Sequence, residues 1–368
     1  MKTIAFYLPQ YHAIPENDEW WGKGFTEWTN VKKSKPLFDN HYQPEVPLNN
    51  DYYNLLDEEV QQRQSELALK YGVDGFCYYH YWFEGKLLLE KPMENMLKNS
   101  KVRIPFCVCW ANESWARTWD GAETKILIKQ NYSESESEWK SHFEYLLPFF
   151  KDERYIKDRN RPMLLLYKPA LILNCAEMME YWNKLAIENG FDGIFWGYQH
   201  PSGFLADLSK CPFDFAVEFE PAYTTLQIDK ETNKLSKGQK IIYGVKHPKW
   251  LYKKIKRIIL KLPRIYDYDE VWNRILARQP ETPISMPGAF TAWDNTPRRG
   301  IDANVYYEAT PEKFKKYIFE RVKRAKEIYH AEYLFINAWN EWAEGAHLEP
   351  DEKNGYGYLE ALKNAMGR

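Results

Sequence analysis

The sequence predicts an α/β protein built as one (β/α)8 TIM barrel, with long loops after strands 1 and 6. Eight short apolar runs alternate with helical segments along the 368 residues, a pattern typical of parallel strands covered by helices. Eight such units are the number that closes this barrel. A doubly wound sheet is the alternative, but no G-x-G-x-x-G motif follows the first run and no G-x-x-x-x-G-K-S/T motif occurs in the sequence.

Each element follows from apolar periodicity and from its boundary residues. The predicted strands are Thr3–Leu8, Gly75–Tyr81, Ile104–Trp110, Pro162–Tyr167, Gly193–Gly197, Phe215–Phe219, Gly288–Ala292 and Tyr333–Ala338. The predicted helices between them are Glu58–Tyr71, Pro92–Ser100, Glu138–Phe150, Ala176–Asn189 and Pro311–His330. Thr310 is expected to cap the last helix, with Pro311 at its first position. Gly72 and Gly190 are expected to end helices, each opening a Gly-x-Asp-Gly turn.

Two segments, residues 9–57 and 221–287, exceed ordinary loop length. In a barrel both would follow strands, on the face where active sites form. We predict a single catalytic domain over residues 1–368, with residues 221–287 as an inserted basic helical segment. Near residues 249–264, Lys and Arg surround apolar residues at helical spacing, which predicts a helix packed on the barrel or, alternatively, weak peripheral contact with an anionic membrane. The tripeptide Asp267-Tyr268-Asp269 matches the Asp-x-Asp metal-binding motif, but its position within the inserted segment favours a helix N-terminus.

Composition excludes several classes of protein. The 50 Lys and Arg against 52 Asp and Glu argue against a nucleic-acid partner, which would require an excess of positive charge. Five Cys, mostly in apolar runs, indicate a reduced interior, and no spacing supports a metal site. We therefore expect a cytoplasmic protein without metal or cofactor, peripheral at the inner membrane if the basic helix binds lipid. The 15 Trp, 27 Tyr and 19 Phe favour a ligand with flat apolar faces and a hydroxylated rim, such as a sugar.

Polar residues beside aromatic ones gather where the predicted strands end, which is the place where a barrel builds its binding site. Carbohydrate sites need carboxylates, amides, imidazoles and aromatic plates, so we predict a sugar site at these positions. The predicted substrate-binding residues are His12, His80, Trp82, Trp110, Asn112, Glu113, Tyr198, Glu218, Glu220, Trp293, Asp294, Asn340 and Trp342. Trp115, Trp196 and Trp339 fall at strand ends as well.

The sharpest signal follows the last predicted strand, where residues 335–350 place Glu341, Glu344 and Glu349 within nine residues. Clustered carboxylates raise each other's pKa, and low dielectric penalises the ionised form. One protonated and one ionised carboxyl group is the arrangement that glycosidic bond cleavage requires. A salt-bridged Glu341 and a solvated Glu344 are the alternative interpretation.

These residues resemble the WbsX-type family of polysaccharide-biosynthesis proteins, which is similar in turn to glycoside hydrolase family 99, the endo-α-mannosidases and endo-α-mannanases. The matching segments include residues 5–12, 17–30, 78–83, 110–113 and 339–345, and they are spread over almost the whole chain. The resemblance implies a (β/α)8 barrel with Glu341 as a base on the sugar 2-hydroxyl and Glu344 as the acid and then the base toward water, with retention of configuration. It also implies that Tyr7, His80 and Trp82 line sugar subsites.

Three functions fit these observations. The first is a glycoside hydrolase-like, endo-acting enzyme on an oligosaccharide or a bacterial cell-surface polysaccharide, with Glu341 and Glu344 as the catalytic pair. The second is a glycosyltransferase in O-antigen or capsular polysaccharide biosynthesis, within lipopolysaccharide assembly. The third is a non-catalytic sugar-binding barrel, against which the intact carboxylates argue.

Overall fold

The computed structural model describes residues 1–117, 125–200, 208–233 and 262–368. Eight parallel strands follow one another around a barrel in chain order, and the last pairs with the first through Lys2↔Tyr333 to Ala5↔Ile336. The barrel strands are β1 (Lys2–Tyr7), β2 (Gly75–Phe83), β3 (Phe106–Trp110), β4 (Arg161–Leu166), β5 (Phe195–His200), β6 (Phe215–Glu218), β7 (Ser285–Met286 and Gly288–Phe290) and β8 (Tyr333–Asn337). The predicted fold class is confirmed.

The barrel closes through β7, which Pro287 divides into two short pieces. Ser285–Met286 pairs with β6, whereas Gly288–Phe290 pairs with β8. Gly288 is required here because a Cβ atom at this position would lie 1.9 Å from the carbonyl oxygen of Glu218. A proline that cannot donate to the ladder and a glycine that permits close approach therefore shape the seam of the barrel.

Helices cover the outside of the barrel and fill the loops at its ends. They are α1 (Pro15–Trp21), α2 (Glu27–Lys33), α3 (Glu58–Lys70), α4 (Lys91–Lys98), α5 (Glu136–Lys151), α6 (Cys175–Glu188), α7 (Ala222–Asn233), α8 (Tyr268–Ala277), α9 (Thr296–Arg299), α10 (Pro311–Glu327) and α11 (Gly357–Met366). Short strands outside the barrel are Lys86–Leu88, Trp115–Arg117, Lys125–Ile128, Lys157–Asp158, Arg264–Asp267, Asn304–Tyr307, Asn340–Glu341 and Ala346–His347.

The boundary signals act as the sequence predicts. The Thr310 hydroxyl accepts from the backbone N–H of Lys313 at 3.3 Å, which caps α10. Gly72 and Gly190 have φ of +86° and +90°, the left-handed conformation that ends a helix at low steric cost. The five predicted helices correspond to α3, α4, α5, α6 and α10, with ends shifted by a few residues.

The two long segments differ from simple loops. Residues 9–57 carry α1 and α2, and the described part of residues 221–287 carries α7, a strand and α8. Most of the predicted basic helix, up to residue 261, lies outside the described residues. The prediction is wrong at its end, because Arg264 begins a strand that pairs with Asn304–Tyr307. Asp267 caps α8 by accepting from the N–H of Glu270 at 3.0 Å, so the predicted helix N-terminus there is confirmed.

Many aromatic rings lie in the layer between strands and helices. Trp182 of α6 packs on Trp196 of β5, with ring centroids 5.8 Å apart, and Trp272 of α8 stacks on Phe290 of β7 at 5.3 Å. These three Trp side chains are fully buried. Within the described ranges, no helix combines the length and apolar character needed to cross a membrane.

Candidate active site

A cavity of about 650 Å³ opens at the carboxyl ends of the barrel strands, within the usual range for ligand sites. Its walls combine aromatic rings, amides, carboxylates and cations. The lining residues include Gln10, Asn17, Trp21, Tyr79, Tyr81, Glu113, Trp115, Tyr167, Lys168, Gln199, Phe219, Trp293, Asn295, Arg298, Arg299, Asn304, Glu341 and Glu344. This composition suits a ligand with apolar ring faces and many hydroxyl groups.

One guanidinium joins three carboxylates at the cavity. Arg298 of α9 donates from Nε to Glu27 Oε2 at 3.1 Å, from Nη1 to Glu344 Oε1 at 2.6 Å and from Nη2 to Glu341 Oε2 at 3.0 Å. The planar fork of Arg therefore holds Glu341 and Glu344 side by side. The Glu27 side chain is fully buried, and that of Glu341 is 9% exposed.

Burial and crowding change the protonation of this cluster. Desolvation, opposed by Arg298 and reinforced by Glu344 and Glu27, raises the pKa of Glu341 to about 8. Desolvation also raises the pKa of Glu344, with Arg298 again opposing it. Burial alone would lower the pKa of Arg298, but the three carboxylates raise it well above its ordinary value. Because one cation cannot balance three buried anions, at least one carboxyl group is favoured in its neutral form.

The loop that carries Glu341 and Glu344 is tied to strand β1. The Asn340 side chain accepts from the N–H of Leu8 at 2.8 Å and donates to the Leu8 carbonyl oxygen at 3.0 Å. The Tyr11 hydroxyl donates to the carbonyl oxygen of Asn340 and accepts from the N–H of Trp342 at 3.2 Å. These bonds fix the backbone on both sides of Glu341.

The buried carboxylate of Glu349 anchors the same loop. Glu349 accepts from Tyr53 at 2.7 Å, Gln64 at 2.6 Å, Trp339 at 3.0 Å and Trp342 at 2.7 Å. Desolvation raises the pKa of Glu349, and these donors oppose the shift. Each carboxylate oxygen therefore has two partners, and the two Trp rings of the loop are held in place.

The structure brings four predicted site residues together. Glu341, Glu344, Glu113 and Trp293 all line the cavity, and so does Trp115. Glu113 forms an ion pair with Lys168 across the ends of neighbouring strands. The predicted catalytic pair and part of the predicted binding set thus share one space.

Several predicted residues support the cavity from behind instead of lining it. Asn340 and Trp342 hold the loop of Glu341 and Glu344 as described above. The Asn112 amide bonds the backbone N–H and carbonyl oxygen of Lys168 at 2.7 and 2.8 Å. The Tyr7 hydroxyl donates to Gln64 at 2.7 Å within the core. These side chains are fully occupied by internal hydrogen bonds, so they have little capacity left for a ligand.

A second group lies on the outer side of the barrel, against α5. His80 Nε2 lies 2.9 Å from His142 Nε2, and burial lowers the pKa of His80 to about 3. Trp82 stacks on His142 at 4.6 Å and Trp110 meets its edge at 4.7 Å. Successive strand residues point to opposite faces, so these side chains point away from the cavity that Tyr79 and Tyr81 line.

The same alternation turns predicted site residues of β5 and β6 away from the cavity. Tyr198 packs on Phe213 at 4.6 Å, while its neighbour Gln199 lines the cavity. Glu218 points outward to Arg321 of α10 at 2.8 Å and to Arg278 at 3.0 Å. Glu220 also pairs with Arg278, at 2.8 Å. Both carboxylates are buried in ion pairs that join strands to helices.

The last two predicted binding residues border neighbouring cavities. Asp294 accepts from Gln43 and contacts His41 Nε2, both at 2.7 Å, beside a pocket of about 410 Å³. His12 lines a separate groove of about 620 Å³ with Trp28 and Tyr52. Burial lowers the pKa of His12. Neither side chain lines the cavity of Glu341.

Sequence reasoning missed Glu27 and Arg298. Glu27 lies inside the matching segment of residues 17–30, and Arg298 follows Trp293-Asp294-Asn295 by three residues, so proximity to those motifs was the available signal. The described ranges contain no group of three or more His, Cys, Asp or Glu side chains placed to hold a metal ion.

A (β/α)8 barrel with aromatic rings and paired carboxylates at its strand ends is an architecture that carbohydrate-active enzymes use. A family model described as "Glycosyltransferase WbsX" matches residues 3–362. The chain belongs to this family of carbohydrate-active enzymes.

Curated relatives match almost the whole chain in sequence, and solved structures are similar to it in fold. Two proteins named "Uncharacterized protein WxcX", from two strains of Xanthomonas campestris pv. campestris, are each 36% identical over 368 residues. The alignment covers 99% of this chain and 49% of theirs, so the chain spans about half the length of these relatives. A GH99 endo-alpha-mannosidase from Bacteroides thetaiotaomicron is similar in fold, with a TM-score of 0.54 and 13% identity over 99% of this chain and 96% of that one. A "Glycoside hydrolase-like protein" has a TM-score of 0.57 and 10% identity, with 99% and 93% coverage.

Proposed function

We propose that this chain acts on glycosidic bonds of a bacterial cell-surface polysaccharide through Glu341 and Glu344. The observation that carries the proposal is the cluster at Arg298, where two carboxyl groups with raised pKa lie side by side at the wall of a cavity rich in aromatic rings. Such a pair can hold one proton at neutral pH, which supplies an acid and a base together.

The chemistry follows the roles that the sequence resemblance implies. The pair shares one proton, and in the reactive form that proton lies on Glu344. Ionised Glu341 then takes the proton of the sugar 2-hydroxyl, and that oxygen attacks the anomeric carbon. The glycosidic bond breaks as neutral Glu344 protonates the leaving oxygen, which gives a 1,2-anhydro sugar. Glu344 then removes a proton from water, the water oxygen opens the ring at the anomeric carbon, and Glu341 returns its proton to the 2-oxygen. Two displacements at one carbon leave its configuration unchanged.

Arg298 would have two effects on this reaction. Its positive charge opposes the desolvation that raises the pKa of both carboxyl groups, so it keeps the ionised form of the base accessible. Its fork also fixes the positions of both reacting side chains, which reduces the entropic cost of alignment. Glu27, fully buried behind it, holds the guanidinium in place.

The test is a screen of bacterial surface polysaccharides for cleavage, with matched Glu→Gln variants. Glu344→Gln and Glu341→Gln should each lower turnover by about two or more orders of magnitude, because each removes a group that exchanges a proton in the transition state. Glu308→Gln, at an exposed position, is the control and should retain full activity. Wild-type rates in either pair variant would refute the assignment.

Transfer is the second candidate function, favoured by the description of the family as a glycosyltransferase. The same carboxyl pair could deliver the anomeric carbon to an acceptor sugar hydroxyl in place of water. A transferase using an activated donor should bind a nucleotide sugar saturably in calorimetry. Cleavage of a polysaccharide without such binding would favour hydrolysis.

A further inference from the structure

Two buried amides line the cavity with hydrogen-bonding atoms that have no partner among the described residues. Asn17 is the residue that α1 buries; its side chain is 0% exposed and neither Oδ1 nor Nδ2 is bonded. Gln199, at the end of β5 and 2% exposed, donates from Nε2 to the Tyr79 hydroxyl at 2.9 Å, but its Oε1 is unpaired. An unpaired buried polar atom costs about 1–3 kcal/mol, so such atoms require an explanation.

We propose that Asn17 and Gln199 determine specificity by binding sugar hydroxyl groups, an inference that rests on the function proposed above. A primary amide presents an N–H donor and a carbonyl acceptor side by side. Two hydroxyl groups on adjacent ring carbons can accept from the first and donate to the second. Asn17 therefore fits a pair of vicinal hydroxyls, and Gln199 Oε1 accepts one more hydroxyl proton.

The surroundings also bear on which ligand group lies beside Gln199. The carboxylates of Glu113, Glu341 and Glu344 share the cavity lining with the cations of Lys168, Arg298 and Arg299, so charge alone does not select the ligand. The unpaired Gln199 Oε1 is an acceptor, and a carboxylate or phosphate oxygen beside it would face a lone pair instead of a donor. The ligand group at Gln199 Oε1 is therefore a donor such as a hydroxyl, and the sugar unit at this wall has at least two free vicinal hydroxyls for Asn17.

A binding role and a structural role for Asn17 predict different effects of its replacement on stability. The N-terminus of α1 has no side-chain cap at Ile14, and the Asn17 amide bonds no described backbone group. Replacing an unpaired buried amide with an apolar side chain of similar size removes a desolvation cost, and this is neutral or stabilising. An amide kept for the fold would show the reverse, because its loss would break bonds that hold the structure.

The experiment compares wild type, Asn17→Leu and the matched control Asn30→Leu. Asn30 is buried on the neighbouring helix α2 with an unpaired Nδ2, and it lies outside the cavity lining. The probes are mannose, glucose, galactose and rhamnose, titrated by saturation-transfer NMR, with thermal unfolding of each variant. Asn17→Leu should weaken the best-bound sugar about tenfold or more, the worth of two lost hydrogen bonds, with an unchanged or higher Tm. Asn30→Leu should keep wild-type affinity.

Deoxy analogues of the best-bound sugar complete a double-mutant cycle. Removing one of the hydroxyls that Asn17 binds should weaken the wild type but not Asn17→Leu. If Asn17→Leu does not fold, Gln199→Met carries the same test, with an expected loss of about fivefold for one bond.

The outcomes separate the two proposals. Wild-type sugar binding with equal affinity in the folded variants would overturn the roles of Asn17 and Gln199 while leaving the proposed function in place. A lower Tm with unchanged affinity would assign Asn17 to the fold and overturn its binding role. Wild type that binds none of the four sugars would overturn the carbohydrate function itself.

Discussion

Replacing Glu341 with Gln should stabilise the fold while removing activity. The folded protein retains a proton on Glu341 up to about pH 8, whereas the unfolded chain releases it near the ordinary value of 4.5. Because the folded pKa of this acid is raised, its favourable contribution is complete below pH 4.5 and is lost as pH rises toward 8. The Gln side chain resembles the neutral form and carries no such dependence.

The size of the effect follows from the shift. Each pH unit between 4.5 and 8 lowers the free energy of unfolding of wild type by about 1.4 kcal/mol. The difference in free energy of unfolding between Glu341→Gln and wild type should therefore shift in favour of the variant as pH rises. Compared with its value at pH 4.5, the shift should be about 3 kcal/mol at pH 7 and about 5 kcal/mol above pH 8. The side chain is only 9% exposed, so screening by solvent reduces these figures little.

Urea denaturation of both proteins at pH 4.5, 7 and 8.5 measures the difference. The measured difference includes the change in the titration of Glu344, which shares the site with Glu341. Glu308→Gln, whose parent side chain is 63% exposed, is the control and should follow wild type at every pH. If the free energies of unfolding of Glu341→Gln and wild type differed by the same amount at all three pH values, the raised pKa of Glu341 and the charge crowding that causes it would be refuted.

Two further predictions concern the pH profile and the barrel seam. Because desolvation raises the pKa of Glu341 to about 8, kcat/KM should fall as pH rises through this value and the pair loses its shared proton; a profile that stays flat to pH 9.5 would contradict this. Gly288→Ala should lower the free energy of unfolding by several kcal/mol, because the new Cβ atom would meet the Glu218 carbonyl oxygen at 1.9 Å. Urea melts would measure this loss, and wild-type stability would show that the seam tolerates a side chain.

The fold was accessible from sequence because strands of a parallel barrel are buried on both faces and read as apolar runs. The differences between the predicted site residues and the residues that line the cavity come from the strand face. In β2, the residues that line the cavity are Tyr79 and Tyr81, one position away from the predicted His80 and Trp82. Since every residue from 75 to 83 is apolar, aromatic or His, no alternation in that run identified the inward face.

Gln199 and Phe219 line the cavity, each one position after a predicted residue, Tyr198 and Glu218 respectively. The cluster at Arg298 could not be predicted for another reason. Glu27 and Arg298 are 271 positions apart in the sequence, and no local pattern relates them. Glu341 and Glu344 were accessible because they share one short motif.

The pairing of β8 with β1 has a consequence for synthesis. Glu27 bonds Arg298 and the Leu8 backbone bonds the Asn340 side chain, so both early residues depend on partners near the other end of this sequence, where the last barrel strand docks against the first. A nascent chain emerging from the ribosome thus exposes the α2 carboxylate long before Arg298, Glu341 and Glu344 exist to neutralise or use it. The candidate site can therefore form only after the barrel has closed.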